Sequence, residues 1–290
     1  VKMPASKWFD FEDDMEWISE DYRNMQEMLL EPIMTTINPG QDEDHDSEDD
    51  LLANLPQEMP ILPLRGVVVY PETTVPLTIG QQRSIRLVDD VVSKDRIVGL
   101  VASKDPEIEA PGPDDLYTMG TVAVISRLFR APDGTIRLLI QGLARFRLKE
   151  FTQKEPFLKA HIELIPEKQE TGLEIEALAR NARNQFEHIS ELVPSIPSEL
   201  ASSISSLEDP LQTAYVISNF QRMEVEEAQE ILEMDSTIDK LHKLVAILAR
   251  EGEVLELGQM IQNKARSEID KVQREYFLRE QLKAIQNELG

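Results

Sequence analysis

From Ser236 to Gly290 the chain runs 55 residues without a proline, and before its last residue only Gly252 and Gly258 weaken the stretch. No other feature limits the fold as much. At a rise of about 1.5 Å per residue it predicts a helix of roughly 80 Å, far longer than one globular core needs. Its apolar residues fall into three groups at helical spacing: Leu241, Leu244, Val245 and Leu248; then Ala265, Ile269, Val272 and Tyr276; then Leu278, Leu282, Ile285 and Leu289, spaced four, three and four apart. The first group predicts a helix that closes a bundle. The rest predicts a projecting arm, with Leu278, Leu282, Ile285 and Leu289 as a seam for assembly against another helix.

Upstream of that helix, LEIEALARNARNQFEHISELV (173–193) predicts a bundle helix that ends before Pro194. Ser198 is placed to cap a short helix over 199–206, Pro210 fits the first turn of the next, and 223–234 predicts one more. Before Pro166 the pattern changes to short apolar runs between turn signals, which predicts strands. Pro60, Pro63, Pro71 and Pro76 crowd the first of these, and each removes a ladder donor, so strands there are expected at edges or strand starts. A short helix is expected over 84–95 and a buried strand over 97–103. In TVAVISRLFRAPDGTIRLLIQGLARFRLKEF, the Pro132-Asp133-Gly134 turn joins two long alternating segments into a hairpin. The expected fold is α+β, with a β-rich domain at 59–168, a helical bundle at 169–250 and a long helical arm at 251–290.

Residues 1–58 stand apart. Sixteen of the chain's acidic residues and three of its basic ones lie in 1–50, so this segment carries −13 of the formal net charge of −24. Phe11, Met15, Ile18, Tyr22, Met25 and Leu29 form an apolar stripe that predicts one acidic amphipathic helix, and NPGQDEDHDSEDD (38–50) predicts a solvated linker. Overall acidity opposes attraction to nucleic acid or anionic lipid, both bound chiefly through Lys and Arg. No apolar run approaches the roughly 20 residues that cross a bilayer. With no cysteine there is neither a disulfide framework nor a thiolate metal site, and a cytoplasmic location fits best.

Catalytic signatures are missing: no GxxxxGK[ST] loop, no GxSxG elbow, no HExxH helix. None of the four histidines has a second histidine at i+3 or i+4, and the acidic linker lacks the central glycine and terminal Glu of a calcium loop. Binding is better supported. Arg127, Arg130, Arg137, Arg145 and Arg147 interleave with apolar residues on the hairpin, which predicts a half-buried sheet with a solvated basic face, and that face leaves nucleic-acid binding as the alternative. Leu128 and Phe129 adjoin each other, so one of them must leave the inward pattern, and the proline-rich edge could take an extended peptide by strand addition.

PILPLRGVVVYPETTVPLTIG, DPEIEAPGPDDLYTMGTVAVISRLFRAPDGTIRLLIQGLARFRL and REYFLREQLKAIQNELG, in that order, resemble the N-terminal half of the Lon family of ATP-dependent proteases over about residues 59–290. The resemblance implies a β-rich domain similar to PUA-like barrels, then a helical bundle and a long helix leading into an AAA+ ATPase module and a Ser-Lys protease, assembled as a hexameric ring. On that expectation this chain stops before those modules. It is then no enzyme by itself and holds no cofactor, ATP and magnesium belonging to the missing module. The implied role is recognition of exposed apolar segments of misfolded or degron-bearing proteins in protein quality control, with Leu64, Pro76, Leu128 and Phe129 as the contact patch. The fragment is expected to self-associate as a dimer or weak oligomer; a purely structural spacer is the remaining alternative.

Overall fold

In the computed structural model, which describes residues 55–289 apart from Gln169, Pro194, Ser195 and Arg222, a mixed six-stranded sheet is followed by five helices. The helix expected over 11–29 and the linker at 38–50 lie outside the described residues. The strands are β1 (Glu58–Leu64), β2 (Thr74–Ile79), β3 (Ile97–Ala102), β4 (Met119–Arg130), β5 (Ile136–Gln153) and β6 (Leu158–Ile165), with helix α1 (Gln82–Val92) between β2 and β3. Their order is β2-β5-β4-β3-β1-β6, and a further β5–β6 pairing closes five of them into a barrel. The length of β5 makes closure possible: Ile136–Gln141 pairs with β2, while Arg145–Gln153 pairs with β6. The hairpin turn falls where the sequence places it, with Gly134 at φ +86, a conformation that a side chain disfavours.

Proline placement follows the donor rule in an unexpected way. β1 lies between β3 and β6 and is not an edge strand, yet it contains Pro60 and Pro63. Its two halves differ: Glu58, Met59 and Pro60 pair only with β6, Leu62, Pro63 and Leu64 only with β3, and Ile61 with both. Each proline therefore sits in a half that has one neighbour, where the missing N–H can face the unpaired side. Pro76 is on β2, a true edge.

One face of the sheet is covered by α1, whose Leu87, Val88 and Val91 pack with Leu62, Leu64, Val75, Leu77, Val98, Leu100, Ile125, Leu138 and Ile140. Met59, Ile61, Ile97, Val101, Val122, Phe146, Leu158 and Ala160 form a second cluster on the reverse face. Both faces are buried around β3, which explains its unbroken run IVGLVA.

The helices are α2 (Leu173–Leu192), α3 (Ser198–Ser205), α4 (Pro210–Phe220), α5 (Val225–Glu233) and α6 (Thr237–Leu289). Asp209 caps α4, its Oδ1 accepting from the Gln212 N–H at 2.9 Å, with Pro210 in the first turn. Ser198 does not cap α3: Pro197 holds that position and Ser198 is already helical. Phe186, Ile189, Leu200, Ile204, Val216, Ile217, Leu241, Leu244 and Leu248 fill the bundle core. α6 continues unbroken past it. His188 Nε2 lies 2.8 Å from Glu256 Oε1, and Gln259 donates to the Leu192 carbonyl at 3.4 Å. Beyond these, Ile261, Ile269, Val272, Tyr276, Phe277 and Leu278 are all exposed. The side chains of Leu282, Ile285 and Leu289 are outside the described set, so of the expected seam only Leu278 is placed.

Candidate protein-binding face and the domain junction

Two β-bulges decide which side chains the hairpin presents. On β4, Ile125 pairs with Ile140 and Arg127 with Leu139, so Ser126 is an extra residue; on β5, Ala123 pairs with Gly142 and Val122 with Ala144, so Leu143 is extra. An inserted residue shifts everything after it to the other face. Past Ser126, Leu128 opposes Leu138 and packs into the α1-covered core, whereas Phe129 opposes Arg137 on the reverse face. Arg127, Leu139 and Pro76 form the adjacent row on that reverse face, since Pro76 pairs with Leu139.

The expected patch is thus divided. Pro76 and Phe129 share one face; Leu64, 5% exposed, belongs to the core, and Leu128 is half-buried against it. Neither Leu64 nor Leu128 is available as a surface contact in this conformation. Phe129 is 37% exposed, and within the β domain only Leu164 joins it among the exposed large apolar side chains of the described residues. Around Phe129 and half-buried Pro76 lie exposed Arg127 and half-buried Arg137. Sequence reasoning placed Arg127 and Arg137 on the solvated face of the hairpin but missed that they share it with Phe129 and Pro76, because the register that unites them depends on a bulge; Leu139, in the same row, is buried. Strand addition is disfavoured at β2: Pro76 in mid-strand removes a donor from the edge.

Arg145 departs from the expected solvated basic face, whereas Arg127, Arg130 and Arg147 are exposed. Lying past the Leu143 bulge, it projects to the opposite side from Arg137 and is 0% exposed. Its guanidinium enters the helical domain, where one terminal nitrogen donates to the carbonyls of Leu232 at 2.9 Å and Met234 at 2.8 Å, and Nε lies 2.5 Å from Glu167 Oε1. Tyr215 donates to the same Glu167 carboxylate and stacks on Tyr70 at 5.5 Å, whose hydroxyl donates to the Ala228 carbonyl at 3.0 Å. Burial raises both tyrosine hydroxyls well above their ordinary range. Lys240 is fully buried beside them, 5.1 Å from the Tyr215 ring centre, and donates to the carbonyls of Ile231 and Met234. Burial pulls its ammonium down to about 8, against the opposing pull of Glu167. Val68, Tyr70, Ala102 and Met119 pack against Tyr215, Val225, Ala228, Ile231, Leu232 and Ile247, so β domain and bundle share one core. Gly142 admits the segment that carries Tyr70, because a Cβ there would meet the Tyr70 carbonyl oxygen at 2.2 Å.

This junction joins the two domains through buried side chains. No cluster of three or more His, Asp or Glu suited to a metal exists among the described residues, and no helix among them is long and apolar enough to cross a membrane.

Comparison with known proteins agrees with this architecture. The family model for the ATP-dependent protease La (LON) substrate-binding domain matches residues 58–250. Lon protease of Dictyoglomus thermophilum is 45% identical over 237 residues, covering 82% of this chain and 30% of that protein. Lon protease of Lawsonia intracellularis is 40% identical over 271 residues, covering 93% and 32%. The chain thus spans about 30% of the length of the relatives it matches. The solved N-terminal domain of a Lon protease from the Mycobacterium avium complex superposes with a TM-score of 0.54 at 18% identity, over 66% of this chain and 98% of that one, a likeness of fold.

Proposed function

This chain belongs to the Lon protease family through its substrate-binding domain, and on that premise we propose that it captures exposed apolar segments of unfolded or damaged proteins for an ATP-dependent protease. The observation that carries the reading is the exposed Phe129 ring on the reverse face of β2-β5-β4, where half-buried Pro76 sits at the opposite corner and Arg137 and the buried Leu139 lie between the two. Unfolded chains display aromatic and aliphatic side chains that folded ones hide, so such a face selects by foldedness without reading a sequence. α6 supports a second element of the reading. Its bare apolar residues from Val254 to Leu278 suit pairing with the same helix of another copy, giving a concentration-dependent oligomer of this chain.

Fluorescence-anisotropy titration with one labelled protein, native and in a reduced, carboxymethylated form, tests the first part. The unfolded form alone should bind, with an affinity that does not fall from 50 mM to 500 mM salt. Phosphate binding would weaken by orders of magnitude over that range, and that result would move nucleic acid to the front. If neither form binds, the domain is a spacer.

A further inference from the structure

We propose that the tip of the β4–β5 hairpin selects among apolar segments by charge, preferring those in which an aromatic or aliphatic side chain has a carboxylate two residues away. Phe129 is the apolar contact, and Arg127 and Arg137 receive the carboxylates. The inference rests on the client-binding reading of Phe129 and names the class of segment that its surroundings prefer. Its ground is the strand register. Phe129 stands directly opposite Arg137, and Arg127 lies two residues before it on the same strand, so the three are neighbours on the reverse face. Facing residues on adjacent strands have Cα atoms about 5 Å apart, and residues i and i+2 of one strand are about 7 Å apart. The exposed ring therefore has a guanidinium group on each of two sides, and exposed Thr78 follows Arg137 in the same row.

The strands of this face supply no carboxylate of their own. β2, β4 and residues 136–141 of β5 carry three arginines and no acidic residue, in a chain with 54 Asp and Glu. Arg130 turns to the α1 side and pairs with Asp89. Asp133, in the turn, keeps its carboxylate on Thr135, accepting from the N–H at 2.8 Å and from the hydroxyl at 2.7 Å. The chain as a whole carries −24, so its field repels a segment rich in carboxylates, and local attraction at the tip decides where such a segment lands. An extended segment laid along β4 matches the spacing. Its alternate residues share one face about 7 Å apart, so an apolar residue on the Phe129 ring brings the residue two positions away over Arg127. Arg137, one strand over, reaches the carboxylate on the other side of that anchor. Two guanidinium groups are few for a nucleic-acid backbone, whose affinity grows with the number of phosphates neutralised, so the geometry favours a peptide. Charge thereby chooses which apolar stretch of a client docks, while the apolar contact sets how tightly the client is held.

The test uses the full chain and rhodamine-labelled peptides that share a Phe-Ser-Phe centre and differ only in carrying Glu, Gln or Lys two residues outside each Phe. In low salt the Glu peptide should bind about fivefold more tightly than the Gln peptide, and the Lys peptide more weakly by a similar factor. Salt at about 500 mM should bring the three together. Glu moved next to each Phe should lose its advantage, because adjacent residues of an extended chain face opposite ways. Arg127→Gln with Arg137→Gln should bring the Glu and Gln peptides to equal affinity, whereas Arg127→Lys with Arg137→Lys should keep the preference; melting curves that match the parent chain exclude misfolding of either variant. If the Gln peptide binds and the three do not differ, charge selection is refuted and the client reading stands. If no peptide binds, charge selection falls, and the client reading falls with it only where the unfolded protein fails to bind too. A preference that survives in the double Gln variant places the carboxylate partners elsewhere and overturns the assignment to Arg127 and Arg137. Displacement of the Glu peptide by a single-stranded oligonucleotide at a lower concentration than by unlabelled peptide would give the tip to phosphates and overturn it as well.

Discussion

The two ends of the β4–β5 hairpin carry the same mixture of arginine and apolar side chains and put it to opposite uses. At the tip, Arg127, Phe129 and Arg137 face solvent or are half-buried. At the base, Arg145 is fully enclosed by the helical domain and Phe146 fills the reverse-face core. Residue type does not separate them; what lies over each end does. The base arginine is held by two carbonyls and a carboxylate, so its positive charge is matched in a dry setting, whereas the tip keeps its charges hydrated and its phenyl ring available.

Replacing the arginines one at a time gives the sharpest contrast. Arg145→Met strands the Glu167 carboxylate and frees two buried carbonyls, and should lower stability by about 3 kcal/mol or more, while Arg127→Met should stay within about 0.5 kcal/mol. Urea denaturation of both variants measures the gap, and equal midpoints would erase the distinction between the two ends. Next in size is a pair of apolar changes. Leu64→Ala opens the core and should cost about 2–4 kcal/mol. Phe129→Asp should leave the midpoint nearly unmoved yet reduce binding of an unfolded protein at least about tenfold. Loss of stability in Phe129→Asp comparable to that in Leu64→Ala would make Phe129 a core residue.

A smaller effect comes from Lys240 at the base. Its ammonium titrates at about 8 in the folded chain, below the ordinary lysine value of 10.5. Between those values the unfolded chain binds more protons, so this group makes stability rise as pH increases from 8 toward 10. The difference between the parent chain and Lys240→Met should therefore grow in the parent's favour by about 2 kcal/mol from pH 7 to pH 10. A difference flat with pH would show that Lys240 is solvated.

Much of this was legible before the structure. The Pro-Asp-Gly turn, the proline-bounded helices and the unbroken α6 follow from local rules of backbone chemistry, and each falls within a few residues of its expected place. The four residues of the expected patch are split between the core and the reverse face for a physical reason. Plain alternation from Ile125 would turn Leu128 outward, and alternation from Arg137 would keep Arg145 on the same side. Ser126 and Leu143 each break the period once; Ser126 does so with no glycine to mark it, whereas Leu143 follows Gly142, an in-strand glycine of the kind that signals a bulge. Burial of Arg145 was equally hidden, because its partners are 22 to 90 residues away in sequence and two of them are main-chain carbonyls. The alternation of apolar and polar residues reports which positions are inward, but not which second domain covers the outward ones.

At the root of α6, Gly252 and Gly258 bracket the place where the helix leaves the bundle, and a Cβ at either would meet nothing within 4 Å. Packing therefore does not require glycine there, while each one softens a helix by about 1 kcal/mol relative to alanine. From Gln259 to Leu289 the shaft is roughly 45 Å long, so flexing of about 5° at its root swings the far end through about 4 Å. The helix behaves as a lever with a compliant pivot: small tilts are magnified along it, and the two glycines set how much torque it passes on before it bends.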